Sequence, residues 1–168
     1  MRPDSSEYGS YFGTYVGNVP EEDVLAALES QRDDTKKFLL SIPKERESFR
    51  YGPDKWSIKE VLGHLTDAER VFAYRAMAIA RGEQQSLPGF DEKAYVTRAG
   101  FEQQSLRDLL DAYLAVRNAS LALFRQLDEE AWQRRGTANK NPVSVRALAY
   151  ITIGHERHHL KILRERYV

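Results

Sequence analysis

Three of the four histidines in this 168-residue chain fall within His155-Glu156-Arg157-His158-His159, and the fourth is His64. Imidazole nitrogen binds borderline metals such as zinc, nickel and iron, and two histidines four apart on a helix project side by side from successive turns. His155 and His159 have that spacing. At about 100° per residue, Leu148, Ile151, His159 and Ile162 all project within about 40° of His155, so both histidines belong to an apolar stripe. His158 projects about 60° away, at the stripe's margin, and is the weaker ligand candidate. On the helix carrying His64, Val71, Ala68, Val61 and Phe72 project within about 80° of the histidine, which lets it face the same interior. Three inward histidines from two helices make a divalent-metal site with open positions, the arrangement of catalytic rather than structural zinc sites. The alternative is that all are core or boundary histidines hydrogen-bonded to neighbours.

The residues around them add further chemistry. His155-Glu156-x-x-His159 matches the H-E-x-x-H pattern of zinc proteases, in which the glutamate is the general base. Ile162 stands where the metzincin extension requires glycine, so a protease of that type is not expected. Glu156 could still serve a metal site as a catalytic base, or it could face solvent and pair with Lys161 or Arg157. Asp67 and Glu60, three and four residues from His64, are placed to orient its ring, although surface solvation explains them equally simply. Arg75 projects about 20° from His64, an unusual place for a charge, where it could bind a substrate anion or a buried carboxylate.

Four long helices are needed to position these groups. Pro20 to the residue before Pro43 has acids in its first turn and apolar residues at helical spacing. Trp56 to Arg81 repeats through Ile58, Val61, Leu65, Ala68, Phe72 and Ile79 and stops at Gly82. Ser105, with Asp108 as its capping partner, opens a third helix that ends near Asp128. Pro142 suits the first turn of a fourth, which runs to about Glu165. Residues 82–102 form a connection long enough to cross the bundle, with a short helical turn at Asp91 to Thr97, so the second and third helices are expected to run parallel. Residues 1–20, rich in Gly, Ser and Tyr, read as an arm lying across the body. No segment alternates in the manner of a strand, so the class is all-α, a four-helix bundle in a single domain over 1–168.

Composition narrows the function. Twenty-five basic and 25 acidic residues are interspersed, leaving no field to attract nucleic acid or anionic membranes. There is no cysteine, which excludes disulfides, thiolate metal sites and a cysteine nucleophile. The first residues lack a basic flank followed by an apolar core, and no stretch approaches the roughly 20 apolar residues of a spanning helix. The expectation is a soluble, cytoplasmic protein whose partner is a small molecule.

Lys55-Trp56-Ser57-Ile58-Lys59-Glu60-Val61-Leu62-Gly63-His64-Leu65, Gly136-Thr137-Ala138-Asn139 and Gly154-His155-Glu156-Arg157-His158-His159 together resemble the DinB/YfiT-like family, from about residue 8 onward. That family pairs a histidine early in the second helix with H-x-x-x-H in the last, which falls here on His64, His155 and His159. The resemblance implies an up-down-down-up bundle, a zinc or nickel ion, frequent homodimers and, in some members, transfer of low-molecular-weight thiols to electrophiles. Two reactions are therefore expected of the site, thiol S-transfer or hydrolysis, with Glu156 as base favouring the second. A non-enzymatic bundle that binds metal or a small ligand is the alternative.

Overall fold

The computed structural model describes residues 2–168. Its elements are α1 (Gly13–Gly17), α2 (Val24–Leu40), α3 (Ile58–Ala80), α4 (Glu92–Ala99), α5 (Leu106–Arg125), α6 (Glu129–Gln133), β1 (Arg135–Ala138), β2 (Asn141–Ser144) and α7 (Val145–Arg166). The four long helices start at side-chain caps, which satisfy amides that the first turn leaves open. Asp23 accepts from the Leu25 and Ala26 amides, Ser105 from Asp108, and Ser144 from Ala147. Ser57 and Glu60 form a reciprocal capping box on α3.

Helix direction follows from contacts at the ends. Ser57 donates to the Glu102 carboxylate and Lys59 Nζ to the Glu102 carbonyl, so the start of α5 lies beside the start of α3 and the two run parallel. Tyr167 at the end of α7 donates to the Trp56 carbonyl at 2.7 Å, which makes α7 antiparallel to α3. Gln31 reaches the Ile153 carbonyl and Thr35 reaches Glu156, so α2 ascends with α7. Arg32 meets Asn118 while Arg125 meets Glu29, so α5 descends against α2. The order is up-down-down-up, and the expected crossover between α3 and α5 is residues 81–105, which include α4.

Two expectations need correction. A two-stranded hairpin is present, with Arg135 opposite Ser144 and Ala138 opposite Asn141. Asn139 and Lys140 both take positive φ, 48° and 64°, as a two-residue hairpin turn of the primed type requires. Asn-Lys is a weaker signal for that turn than Asn-Gly, and four-residue strands are too short to show alternation. Pro142 accordingly lies in β2, and the last helix begins three residues later, behind Ser144. The hairpin is held on both sides: Leu87 of the crossover exchanges backbone bonds with Thr137 and Asn139 at 2.9 Å, and Tyr8 of the arm bridges to Val143.

The arm is fixed by an ion pair whose carboxylate is buried. Glu7 is 1% exposed and accepts from Ser144 Oγ and from the Arg146 guanidinium. Burial alone would raise its carboxyl, but Arg146, Ser144 and the Asp4 amide hold it down to about 2. The arm then runs over α7 at Gly154, where a Cβ would lie 1.9 Å from the Tyr15 carbonyl oxygen, so a side chain at this position would push the arm away.

Two apolar clusters fill the bundle. One contains Leu28, Phe72, Ile79, Leu121, Leu148 and Ile151, and the other Leu39, Leu62, Leu65, Leu110, Leu160 and Leu163. Between them along the helices lie the buried polar residues Gln31, Thr35, His64, Glu69, Arg117, His155 and Glu156. A charged and imidazole-rich layer in mid-bundle costs desolvation, and each group in it therefore calls for a partner.

Candidate metal centre

His64 is placed by α3 and His155 and His159 by α7, the two helices in closest mutual packing. One ligand nitrogen from each of the three lies within 4.8 Å of the others. The Nε2 atoms of His64 and His155 are 3.0 Å apart, so without a bound cation one ring donates a proton to the other. Two nitrogens held at about 2.0–2.1 Å from a tetrahedral zinc ion would stand roughly 3.3 Å apart, close to what is seen. His158 is outside this group; its ring packs on Tyr15 and on His159.

The environment keeps the three rings neutral. His64 is 2% and His155 6% exposed. Burial lowers His64 to about 4, and burial together with the neighbouring His64 and His158 lowers His159 to about 3. His155 is held well below the usual histidine value by burial first and by the other imidazoles second. Neutral imidazole is the form that offers a lone pair to a metal, and a set of three nitrogens with no cysteine or bound carboxylate suits zinc, nickel or iron. The residues present therefore fit a divalent ion.

The same burial gives a pH dependence to the metal-free protein. In the unfolded chain these histidines take protons near pH 6.5, whereas in the folded chain His64 does so only at about 4 and His159 at about 3, with His155 held well below its ordinary value. The unfolded state thus binds more protons throughout that window, and stability falls as pH falls. Urea unfolding of chelated protein should show a loss of a few kcal/mol between about pH 7 and pH 5.5, above the range where carboxylates titrate. A flat profile there would mean that the imidazoles are not held neutral.

Aromatic rings surround the cluster. Trp56 packs on His64 with ring centroids 4.7 Å apart and stacks at 6.5 Å on His159. Tyr15 and Phe72 meet His155 edge-on at 5.4 and 5.7 Å. Trp56 stood in the motif but had no signal for this role, and Tyr15 reaches His155 only because the arm crosses Gly154. Two cavities adjoin the centre. One of about 200 Å3 is lined by His155, Tyr15, Phe72, Arg75 and Phe90; the other, of about 350 Å3, is lined by His159, Trp56, Val61, Lys93 and Tyr167.

The acids are not brought to the histidines. Glu156 is 2% exposed and neither faces solvent nor pairs with Lys161 or Arg157. Its carboxylate accepts from Thr35 Oγ1 at 2.6 Å, from the Tyr113 hydroxyl at 2.7 Å and from Arg117, while Arg157 pairs with Glu21. The helical projection failed here because α7 is buried on every side from Ala147 to Glu156, with α1, α2 and α3 against it. Glu60 is taken by the Ser57 amide and by Arg50, and Asp67 by Arg70. Neither hydrogen-bonds a histidine among the described residues. Arg75 is buried, as its place on the His64 face implied, and it shares a cavity wall with His155.

The profile of the DinB superfamily matches residues 27–163, which include all three histidines. The chain belongs to the DinB superfamily. No curated protein sequence matches it. Among solved structures it is similar to YfiT from Bacillus subtilis, described as a probable metal-dependent hydrolase with an unusual four-helix bundle topology. That likeness has a TM-score of 0.75 at 17% identity, over 88% of this chain and 92% of the other. A DinB-like protein of Bacillus subtilis, YjoA, is similar with a TM-score of 0.61 at 23% identity, over 86% of this chain and 88% of its own. At these identities the likeness establishes the up-down-down-up bundle and leaves the chemistry to the site. Among the described residues no helix is long and apolar enough to cross a membrane.

Proposed function

We propose that this DinB-superfamily chain is a metal-dependent enzyme acting on a small molecule, with His64, His155 and His159 holding a zinc or nickel ion, iron being the next choice. The observation that carries this reading is the convergence of three neutral imidazoles, two buried and one half-buried, from two helices onto one point between two cavities. A structural cluster of that kind would be closed by a fourth side chain, whereas here three ligands leave positions for substrate. An ion held there would supply Lewis-acid chemistry to a substrate oxygen or draw a substrate thiol into its thiolate form near neutral pH.

Thiol transfer is the reaction we favour. Hydrolysis would call on a base, and Glu156, Glu60 and Asp67 each have other partners. Transfer needs two organic substrates, and separate cavities reach His155 and His159. In the transfer the thiol gives its proton to solvent, its sulfur forms a bond to the electrophilic carbon, and the leaving group departs with the bonding pair. Once that proton has left, Trp56, Tyr15 and Phe72 would keep water from competing with the sulfur for the electrophile. Hydrolysis stays as the second reading because YfiT is described as a probable metal-dependent hydrolase.

Zinc- or nickel-loaded protein should turn over members of a panel that pairs low-molecular-weight thiols with alkyl and aryl electrophiles, and should leave a matched ester and amide panel untouched. Turnover of the esters without added thiol would replace transfer by hydrolysis. Inactivity of the loaded protein on both panels would count against the enzyme.

A further inference from the structure

The cavity beside His155 contains a buried cation that no anion among the described residues meets. Arg75 is 5% exposed and lines that cavity. Its Nη2 donates to the Pro88 carbonyl at 2.7 Å, while its Nε is buried with no hydrogen-bond partner. No carboxylate forms an ion pair with it among the described residues. The contrast with the other buried arginine is direct, since Arg117 is bound by both Glu69 and Glu156. A guanidinium removed from water without a counter-charge is unfavourable unless something else supplies one, and its planar fork is matched to a carboxylate.

The rest of the chamber describes the body of the ligand. Phe72, Phe90, Val143 and Leu148 give it apolar walls, and the Phe90 ring lies 6.0 Å from Arg75 Cζ and covers that side of the guanidinium. The single acid in the wall, Glu92, is exposed and therefore solvated at the mouth. One unopposed positive charge in a chamber of about 200 Å3, whose walls join these apolar side chains to the uncharged Asn139 and Asn141, suits a small monoanion better than a phosphate, whose second charge would meet no second cation.

We propose that this cavity takes a small organic acid, with its carboxylate on Arg75 and its hydrocarbon part against Phe72 and Phe90. Placing that acid in a reacting position rests on the metal-enzyme reading through His155, whereas the binding itself does not.

Benzoate, phenylacetate and hexanoate, each beside its amide, would be titrated into the full-length protein at constant ionic strength, with and without zinc, by calorimetry. At least one acid should bind about tenfold or more tightly than its amide, Arg75→Met should abolish the difference, and Arg75→Lys should keep part of it. Acids and amides of equal affinity, a preference that survives Arg75→Met, or inorganic phosphate binding more tightly than every acid would each overturn the proposal. The comparison in the unmodified protein needs no variant, so it decides the matter even if Arg75→Met fails to fold. His159→Ala, which does not line this cavity, separates the two readings: it should keep the acid preference while losing metal.

Discussion

Alanine at His64 or at His159 should leave a folded protein that holds no divalent metal. Purified, untagged wild type reconstituted with zinc or nickel is expected to carry about one equivalent by elemental analysis, and either variant to carry essentially none. The reason lies in the geometry: the ligand nitrogens converge within 4.8 Å from two helices, and two remaining imidazoles leave a site without the coordination that resists water. Helicity should stay near wild type, because these rings contribute to one layer of a bundle whose apolar clusters lie above and below it. His158→Ala should retain the metal, since that ring stands outside the cluster. Equal metal content in all four proteins would remove the site and, with it, the proposed function.

The largest loss of stability is expected from Arg117→Leu. Arg117 is 0% exposed and donates to Glu69 at 2.8 and 2.9 Å, to Glu156, and to the Leu28 carbonyl at 3.1 Å. It thereby joins α5 to α3, α7 and α2 through one guanidinium. Removing it strands two buried carboxylates, and breaking a buried pair in this way typically costs about 3–5 kcal/mol, a large share of a domain's stability. Glu156→Gln should behave very differently. It leaves Arg117 paired with Glu69, removes the excess negative charge, and keeps an oxygen to accept from Thr35 and Tyr113, while its amide nitrogen turns a donor toward the Arg117 guanidinium, so a smaller cost of about 1–3 kcal/mol is expected. Urea unfolding of the two variants should show that ordering; a Glu156→Gln loss as large as that of Arg117→Leu would mean that the second carboxylate is essential to the core. The same variant tests chemistry, because loss of a general base lowers turnover about 10²–10⁴-fold, whereas a glutamate held by Thr35, Tyr113 and Arg117 should change it only a few-fold.

The fold was legible wherever the information is local. Helical spacing, Ser105 and Gly82 located the long helices to within a few residues, and the length of the 82–102 connection implied parallel neighbours. Periodicity also put His155, His159 and His64 on inward faces, because a ligand pair at i and i+4 is a property of one helix. The hairpin escaped because Asn139-Lys140 announces its turn weakly and because its strands are held by Leu87 and Tyr8, which are distant in sequence.

By itself, then, the chain's residue order determined the four long helices, the parallel run of the second and third, and the faces on which the three imidazoles lie, since these depend on spacing or length along one segment. Tertiary structure decided which charges were available to them. On a helical wheel Glu156 was open to the metal site or to Lys161 and Arg157, and it is bound instead by Thr35, Tyr113 and Arg117 from two other helices. Arg75 looked misplaced and is, among the described residues, a buried charge without a carboxylate. Burial and pairing depend on how many neighbours surround a helix, and the arm that closes over Gly154 of α7 comes from the opposite end of the chain.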